Sequence, residues 1–392
     1  MKITSVHSYT VPASVTGDDW CRGKAWVLIK VETDAGIIGW GEAYTLHDRE
    51  RSTAALVEEQ ARYVIGLDPF RIKYFTTMAY EHFAEFQGGV GLFSAISGIE
   101  IALWDIVGKA LDTPVHKLLG GPCRDRIAVY ANCWSHRARS ADELAGYAAG
   151  QVALGFKAVK VYPFLYSDSI DEGIARLKAV HEAVGGDIDI LVDAWRVADI
   201  ASIGRISDAL RQCGVAWFED PIAPDNPELL AAIRHAAQLP IVTGESLCTR
   251  QQFKPLLDQR AVDILNPDIT CCGILEIRDI AAMAEPYGAK LAIHNYNTMA
   301  IGLAASLHVA AVIRNFVTVE FFNRFVAPSQ LFAAHSYELG EDGCIGLGDA
   351  PGLGVSIDET ALREFEFEPA PLREWPRDAW GATYAADVKT PA

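Results

Sequence analysis

Three carboxylates in the middle of the sequence each follow a short apolar run. Asp193, Glu219 and Glu245 are spaced 26 residues apart. This interval fits a strand, a helix and the return to the next parallel strand, because such a crossover takes about a dozen residues or more. If the strands are neighbours in a parallel barrel, the three acids lie together on its C-terminal face, where barrel enzymes carry their catalytic groups. Clustered carboxylates repel one another, so the pattern predicts a hard divalent cation with oxygen ligands, Mg²⁺.

The series of polar residues continues along the chain. Asp268, His294 and Glu320 follow at intervals of 23, 26 and 26 residues, each after a further apolar run. Any one acid by itself could equally be a helix N-cap or a solvated loop residue. The repetition favours one shared site, and clustering favours His294 and Asp268 as a catalytic dyad over two structural residues.

The composition excludes some kinds of partner. The 392-residue chain carries 51 acidic and 34 basic residues, a net charge of −17 at pH 7. Nucleic acid and anionic membranes select basic surfaces, so we expect neither as a partner. The first ten residues lack the apolar core of a signal peptide, and the run from Met299 to Ile313 is too short to span a bilayer. We therefore expect a cytoplasmic protein with reduced cysteines.

The beginning of the chain has the pattern of an α+β domain. Residues 2–12, Ala25–Glu32 and Ile37–Glu42 read as an antiparallel meander. Apolar residues at helical spacing follow in Ala54–Ile65 and Leu92–Leu111. Strands followed by helices, with a Gly-Gly-Pro breaker after them, predict a first domain over residues 1–124.

The next part of the chain alternates short apolar runs with helical segments. Eight candidate strands with seven helical segments between them predict a (β/α)₇β barrel over residues 125–325. A doubly wound sheet is the alternative, but no GxGxxG or P-loop follows the first strand. The candidate strands are Ile127–Cys133, Ala158–Val161, Ile188–Val192, Val215–Phe218, Pro240–Val242, Val262–Leu265, Leu291–Ile293 and Phe316–Val319.

Several short motifs together resemble one family over nearly the whole chain. They are GWGE at 39–42, ALWDI at 102–106, FEDP at 218–221, TGES at 243–246, NPD at 266–268 and PGLG at 351–354. The sequence is similar to the mandelate racemase and muconate lactonizing enzyme subgroup of the enolase superfamily, and to its acid sugar dehydratases. This resemblance implies an α+β capping domain that both termini form, with residues 326–392 returning to it.

The resemblance also implies a role for each residue of the series. Asp193, Glu219 and Glu245 would bind Mg²⁺. Asp268 and His294 would form a dyad that acts as general base or acid on one face of the substrate. Glu320 would hydrogen-bond the substrate carboxylate on the side away from the metal.

The second barrel strand departs from the family pattern. Many members carry Lys-x-Lys there, whereas this chain has Lys160 and Tyr162. Side chains alternate along a strand, so these two share a face and Lys157 lies on the other. Lys160 can bind the substrate carboxylate beside the metal. Tyr162 is either a second base or a hydrogen-bonding residue, because a phenol with a pKa of about 10 is a poor base at neutral pH.

The departure affects which reaction we expect. Racemisation needs two bases on opposite faces of the carbon, whereas β-elimination of water needs one strong base and a nearby acid. We therefore predict a Mg²⁺-dependent lyase that removes the proton α to the carboxylate through an enediolate. It would dehydrate a sugar acid, an aldonate or aldarate, to a 2-keto-3-deoxy acid. The alternatives are a racemase or epimerase, a sugar-lactone cycloisomerase and, more remotely, a non-catalytic scaffold with the same fold.

Polar and aromatic residues in the predicted loops suit a polyhydroxylated substrate. We expect a small carboxylate as ligand and a homo-oligomeric protein. Loops after barrel strands carry specificity more often than those at the opposite end. The candidate substrate contacts are Trp20, Arg22, Trp134, His136, Trp195 and Tyr296.

Overall fold

The fold consists of an N-terminal sheet with helices, a parallel barrel and a C-terminal segment. The computed structural model describes residues 1–12, 25–46, 48–133, 140–165, 167–196, 198, 200–335 and 337–365. All statements below concern these residues.

The N-terminal region is the predicted α+β unit. Three strands pair antiparallel in the order β1-β2-β3, which confirms the meander. Residues on the inner face of the sheet are buried against α1 and α3. The elements are β1 (Ile3–Pro12), β2 (Ala25–Thr33), β3 (Ile38–Ala43), α1 (Glu50–Val64), α2 (Ile72–Met78), a π-helical turn (Ala79–Phe83), α3 (Val90–Ala110) and α4 (Val115–Leu118).

Helix α3 is the most apolar long helix in the described residues. Its 21 residues are long and apolar enough to cross a membrane, but 78% of its most apolar window is buried inside the protein. The hydropathy of α3 is therefore that of a core helix. By length and hydropathy α3 is a stronger candidate for a span than the run Met299–Ile313, most of which forms a shorter apolar helix at Ala300–Val312.

The sheet and α3 approach each other so closely that two positions on β3 have no room for a side chain. A Cβ atom at Gly41 would lie 1.8 Å from the carbonyl oxygen of Gly98, and one at Gly39 would lie 2.1 Å from that of Ala102. Both carbonyls belong to the backbone of α3, so neither can move aside as a flexible side chain can. The glycines of the GWGE motif thus permit the close approach.

Gly41→Ala is expected to lower the free energy of unfolding by about 3 kcal/mol, the upper end of overpacking costs, because the added methyl group meets backbone. Urea unfolding followed by tryptophan fluorescence measures the change. Gly91→Ala is the control, since its new Cβ would lie 3.8 Å from Leu56 Cδ1, an ordinary contact. Equal midpoints for both variants would show that β3 and α3 can separate at little cost.

The middle of the chain folds as a closed parallel barrel. Within the described residues, eight strands pair in sequence order, and the last closes on the first through Val319 opposite Val129 and Glu320 opposite Tyr130. The strands are β4 (Arg126–Asn132), β5 (Ala158–Val161), β6 (Asp189–Asp193), β7 (Trp217–Glu219), β8 (Ile241–Thr243), β9 (Ile264–Leu265), β10 (Lys290–Ile293) and β11 (Phe316–Phe321). The predicted (β/α)₇β barrel is confirmed.

Helices cover the outside of the barrel and connect its strands. Several of these helices begin at polar caps: Ser140 and Thr249 form capping boxes, and Ser169 and Asn226 accept backbone N–H groups. The helices are α5 (Ala141–Ala153), α6 (Ile170–Val184), α7 (Ile203–Gln212), α8 (Pro227–Ala237), α9 (Arg250–Asp258), α10 (Ile269–Cys272), α11 (Ile274–Ala284) and α12 (Ala300–Val312).

The C-terminal segment contacts both the N-terminal region and the barrel. Glu359 accepts hydrogen bonds from Lys30 Nζ (2.6 Å) and Tyr9 Oη (2.7 Å), whereas β13 pairs antiparallel with barrel strand β4. The boundaries at 124 and 325 stay a prediction. The elements are α13 (Val326–Ser329), β12 (Ala333–Ala334), β13 (Cys344–Gly346), β14 (Ser356–Ile357) and α14 (Glu359–Leu362).

Candidate active site

The predicted series of polar residues converges at the C-terminal ends of the barrel strands. Asp193 and Glu219 are the last residues of β6 and β7 and lie opposite each other in the ladder. Glu245 lies two residues beyond β8, after Gly244, whose φ of +141° favours glycine. Asp268 and His294 are joined by a parallel bridge, so the series continues on the same face.

The three predicted metal ligands form one cluster. Asp193, Glu219 and Glu245 each offer an oxygen, and these oxygens lie within 4.8 Å of one another. Asp193 and Glu219 are buried, and Glu219 Oε2 has no hydrogen-bond partner among the described residues. Burial and the charge of Glu219 raise the pKa of Asp193 well above its ordinary value. Three close carboxylates, one with an unpaired buried oxygen, fit a hard divalent cation.

Lys160 lies beneath this cluster and is completely buried. Its Nζ is 2.9 Å from Glu219 Oε1, 3.1 Å from Glu320 Oε1 and 3.7 Å from Asp193 Oδ2. Burial alone would lower the pKa of Lys160, but Glu219 and Glu320 raise it well above its ordinary value. Lys160 is therefore a charged hydrogen-bond donor in this arrangement and not a base.

His294 and Asp268 form the expected pair. His294 Nδ1 lies 2.7 Å from Asp268 Oδ2, and Asp268 Oδ1 accepts hydrogen bonds from the backbone N–H (2.8 Å) and the hydroxyl (2.6 Å) of Thr270. The contact to Asp268 leaves Nε2 facing the site, 3.1 Å from Glu245 Oε2 and 3.4 Å from Glu320 Oε2. Burial lowers the pKa of His294, but the three surrounding carboxylates raise it well above its ordinary value.

The proton on His294 also affects Glu245, which keeps 22% of its side chain exposed. Burial raises the pKa of Glu245, yet the hydrogen bond and charge of His294 lower it to about 2. Glu245 is thus the member of the carboxylate cluster that contacts the dyad directly.

Tyr162 directly follows β5, and the centroid of its ring lies 5.7 Å from Lys160 Nζ. Its hydroxyl oxygen accepts a hydrogen bond from Asn132 Nδ2 (3.0 Å). Burial raises the pKa of Tyr162 well above its ordinary value, although Lys160 opposes the shift. Of the two roles considered for Tyr162, the geometry therefore favours hydrogen bonding over proton abstraction at neutral pH.

Glu320 accepts hydrogen bonds from several directions. The backbone N–H of Asn295 (3.0 Å) and the side-chain amide of Asn132 donate to it, and Lys160 is its ion-pair partner. Burial raises the pKa of Glu320, but Lys160 and His294 outweigh it and lower the pKa. Donation to a substrate carboxylate, the role that the resemblance implies, requires a protonated Glu320, whereas this arrangement favours the carboxylate.

Several polar residues around the site were not among the predicted ones. Asn132 bridges Glu320 and Tyr162, and Asn266 Nδ2 donates to Glu219 Oε1 (2.9 Å). Asp220 accepts from the hydroxyl of Thr243, and its pKa is raised to about 7, mainly by burial. Asn132 is the last residue of β4, so its place at a strand end was a usable signal.

The predicted substrate contacts are only partly described. Trp195 has a φ of 47° and donates its backbone N–H to Asp193 Oδ1 (2.8 Å). The ring of Tyr296 lies 6.2 Å from that of His294. Both therefore lie near the site. Trp20, Arg22, Trp134 and His136 lie outside the described residues.

Family models match both main parts of the chain. A model described as the mandelate racemase / muconate lactonizing enzyme N-terminal domain matches residues 9–120, and one described as enolase C-terminal domain-like matches residues 143–361. Among solved structures, a mandelate racemase/muconate lactonizing enzyme-like protein from a Roseovarius species is 30% identical with a TM-score of 0.86, covering 97% of this chain and 99% of that one. An enolase from Sargasso Sea environmental sequencing is 28% identical with a TM-score of 0.87, covering 94% and 97%.

Curated relatives with named activities are similar over most of their length. A D-galactonate dehydratase from Ralstonia pickettii is 35% identical over 97% of each chain. A D-xylonate dehydratase from Haloferax volcanii is 32% identical over 86% of this chain and 84% of that one.

Proposed function

Because the chain belongs to the mandelate racemase and muconate lactonizing enzyme family of the enolase superfamily, we propose that it is a hydro-lyase acting on a sugar acid. The substrate is an aldonate or aldarate, and the product is the 2-keto-3-deoxy acid. The dehydratase names of the similar D-galactonate and D-xylonate enzymes support this reaction class.

One observation carries the proposal: the site places one strong base beside a carboxylate cluster. The dyad of His294 and Asp268 directs an imidazole nitrogen to within 3.1 Å of Glu245. The pKa of His294 is raised by carboxylates whose charge a bound Mg²⁺ would offset. On the other face, the pKa of Tyr162 is raised mainly by burial, and Lys160 is ion-paired with Glu219 and Glu320. A protonated amine and a neutral phenol donate hydrogen bonds and do not abstract protons, so elimination is favoured over racemisation.

The carboxylate cluster is the proposed site for Mg²⁺. Asp193, Glu219 and Glu245 would be its protein ligands, as their oxygens lie within 4.8 Å of one another. A bound Mg²⁺ would supply positive charge that stabilises the negative charge left on the substrate carboxylate after proton loss, and would oppose protonation of His294.

Lys160, His294 and Asp268 each have a separate role in the elimination. The ammonium group of Lys160 binds the substrate carboxylate, and His294 Nε2 takes the proton from C2. The electron pair of the broken C2–H bond moves into the substrate carboxylate to give an enediolate, and it then returns to form the C2–C3 double bond as the hydroxyl leaves C3. His294 can return its proton to that hydroxyl, so water departs and the enol tautomerises to the 2-keto acid. Asp268 holds the imidazole in the tautomer with Nδ1–H throughout.

Incubation of the protein with Mg²⁺ and a panel of aldonates and aldarates in D₂O is expected to give a 2-keto-3-deoxy acid with solvent deuterium at C3. The deuterium enters there because the enol takes a proton from solvent when it tautomerises. Mass spectrometry and proton NMR measure the product. The panel includes D-galactonate and D-xylonate.

Asp268→Asn, purified in the same way, serves as the control for contaminating activity. Recovery of a C2 epimer or a rearranged lactone, with no keto acid, would favour the isomerase alternative. Mg²⁺ binding without turnover of any sugar acid would favour the non-catalytic alternative. We further propose that the protein is cytoplasmic and forms a homo-oligomer. Light scattering on the purified protein measures the mass of the assembly and so tests the second part.

A further inference from the structure

The N-terminal region reaches into the loops that carry the dyad, and a buried carboxylate makes the main contact. Glu42 on β3 is 1% exposed. Its Oε1 accepts the backbone N–H of Met299 (2.8 Å), and its Oε2 accepts that of Gly302 (2.9 Å). These are the N-cap and third residues of α12, the helix that follows the loop from His294. The N-cap Met299 has no side chain that could accept these N–H groups.

Two further hydrogen bonds join the N-terminal region to the same loops. Asn297, whose φ is 54°, donates its side-chain amide to the carbonyl of Thr45 (2.9 Å). Tyr44 donates its backbone N–H to the carbonyl of Thr270 (3.3 Å), and Thr270 is the residue that holds the Asp268 carboxylate. Residues 42–45 thus form hydrogen bonds with the segment that follows Asp268 and with the segment that follows His294.

The geometry favours the charged form of Glu42. Each of its oxygens accepts an N–H at a helix N-terminus, where a carboxylate is stabilised by the partial positive charge of the helix. Burial raises the pKa of Glu42 to about 7 against the effect of the two N–H groups, and the nearby Asp268 adds to it. An amide in its place would turn an NH₂ group towards one of the two N–H donors and lose that hydrogen bond.

We propose that Glu42 is a positioning residue for the reaction, which holds the loop after His294 so that the imidazole keeps its place against Asp268 and Glu245. The proposal rests on the role of His294 in the proposed function. A displacement of the base by about 1 Å can lower turnover by about 100-fold, so a distant cap can affect chemistry strongly. Glu42 itself touches no reacting atom.

The test compares Glu42→Gln with Asp105→Asn. Asp105 is equally buried, lies in the same region and accepts two backbone N–H groups, from Trp40 (2.9 Å) and Leu353 (3.0 Å). Asp105 also pairs with Lys109 Nζ (2.6 Å), and none of its three partners lies in the loop that follows His294. Both variants are measured for melting temperature, kcat, KM and calorimetric Mg²⁺ affinity. The Nδ1–H signal of His294, assigned by its loss in His294→Asn, is followed by NMR of [¹⁵N]histidine-labelled protein.

Both variants are expected to melt at lower temperature, but only Glu42→Gln should shift or broaden the His294 signal. We expect Glu42→Gln to lower kcat by about 10-fold or more, in line with a sub-ångström displacement, with Mg²⁺ affinity retained. An unchanged His294 signal and unchanged kcat in Glu42→Gln, with a lower melting temperature, would make Glu42 a structural cap only and overturn the inference. If the wild-type protein dehydrates no sugar acid, the proposed function fails, whereas the NMR comparison still decides whether Glu42 positions His294.

Discussion

Replacement of His294 by asparagine is expected to lower kcat by about 10²- to 10⁴-fold, the usual contribution of a general acid or base. Asparagine can keep a hydrogen bond to Asp268, but it cannot exchange a proton with the substrate. The Nε2 atom of His294 is the group that faces Glu245 and the carboxylate cluster, so no other described imidazole can replace it there. Steady-state kinetics with the sugar acid found in the panel measures the loss.

Two companion variants make this result specific. Asp268→Asn should lose activity in the same direction, because an amide would no longer fix the Nδ1–H tautomer. Tyr162→Phe should lose much less, because a phenol whose pKa is raised by burial contributes a hydrogen bond and not a base. Mg²⁺ affinity should be nearly unchanged in all three variants, because none of the three residues is a proposed ligand. Loss of His294 removes a partner of Glu245 Oε2 and leaves that oxygen available to the cation. If Tyr162→Phe is inactive while His294→Asn keeps most of its turnover, the base lies on β5 and the roles are reversed.

The barrel could be predicted because its strand-and-helix units have almost the same length, so strand ends recur at a nearly constant interval in the sequence. Each predicted strand overlaps an observed one, and Ala158–Val161 has the predicted bounds. Asp193 and Glu219 converge because each ends a parallel strand. That a residue ends a strand can be predicted from the neighbouring sequence alone. Glu245 belongs to the same group although it lies beyond β8, since Gly244 redirects the chain. Spacing therefore predicts which residues meet, and less well how they are oriented.

The contacts between side chains could not be predicted in the same way. Lys160 pairs with acids from three other strands, and only barrel closure brings Glu320 next to it. Asn132 is one polar residue after an apolar run, and its two partners come from β5 and β11. Glu42 lies in a recognised motif, but its partners Met299 and Gly302 are more than 250 residues away. Such contacts depend on how distant elements dock, and local sequence carries no signal for that.

Glu219→Gln is expected to weaken Mg²⁺ binding by about 100-fold or more, beyond the 10- to 100-fold typical of residues that only support a ligand. Glu219 lies between Asp193 and Glu245 in strand order, and its Oε2 is buried with no partner in the described part of the chain. An amide would offer a neutral oxygen where the cluster offers a charged one. Titration calorimetry of the metal-free variant with Mg²⁺ measures the affinity, and circular dichroism checks that the variant folds.

Asp220→Asn is the matched control for that experiment, because Asp220 is the next residue and is also buried. Its carboxylate accepts hydrogen bonds from Thr243 and Arg196, and Asp220 is not a proposed metal ligand. We expect its Mg²⁺ affinity to fall far less. Ligand binding to the folded state adds stability of about 2.7 kcal/mol at 100 times the dissociation constant, so Mg²⁺ should raise the melting temperature of the wild type and of Asp220→Asn. Glu219→Gln should show no such rise at the same concentration. Equal stabilisation of all three proteins by Mg²⁺ would place the cation away from this cluster and remove the electrostatic basis of the proposed elimination.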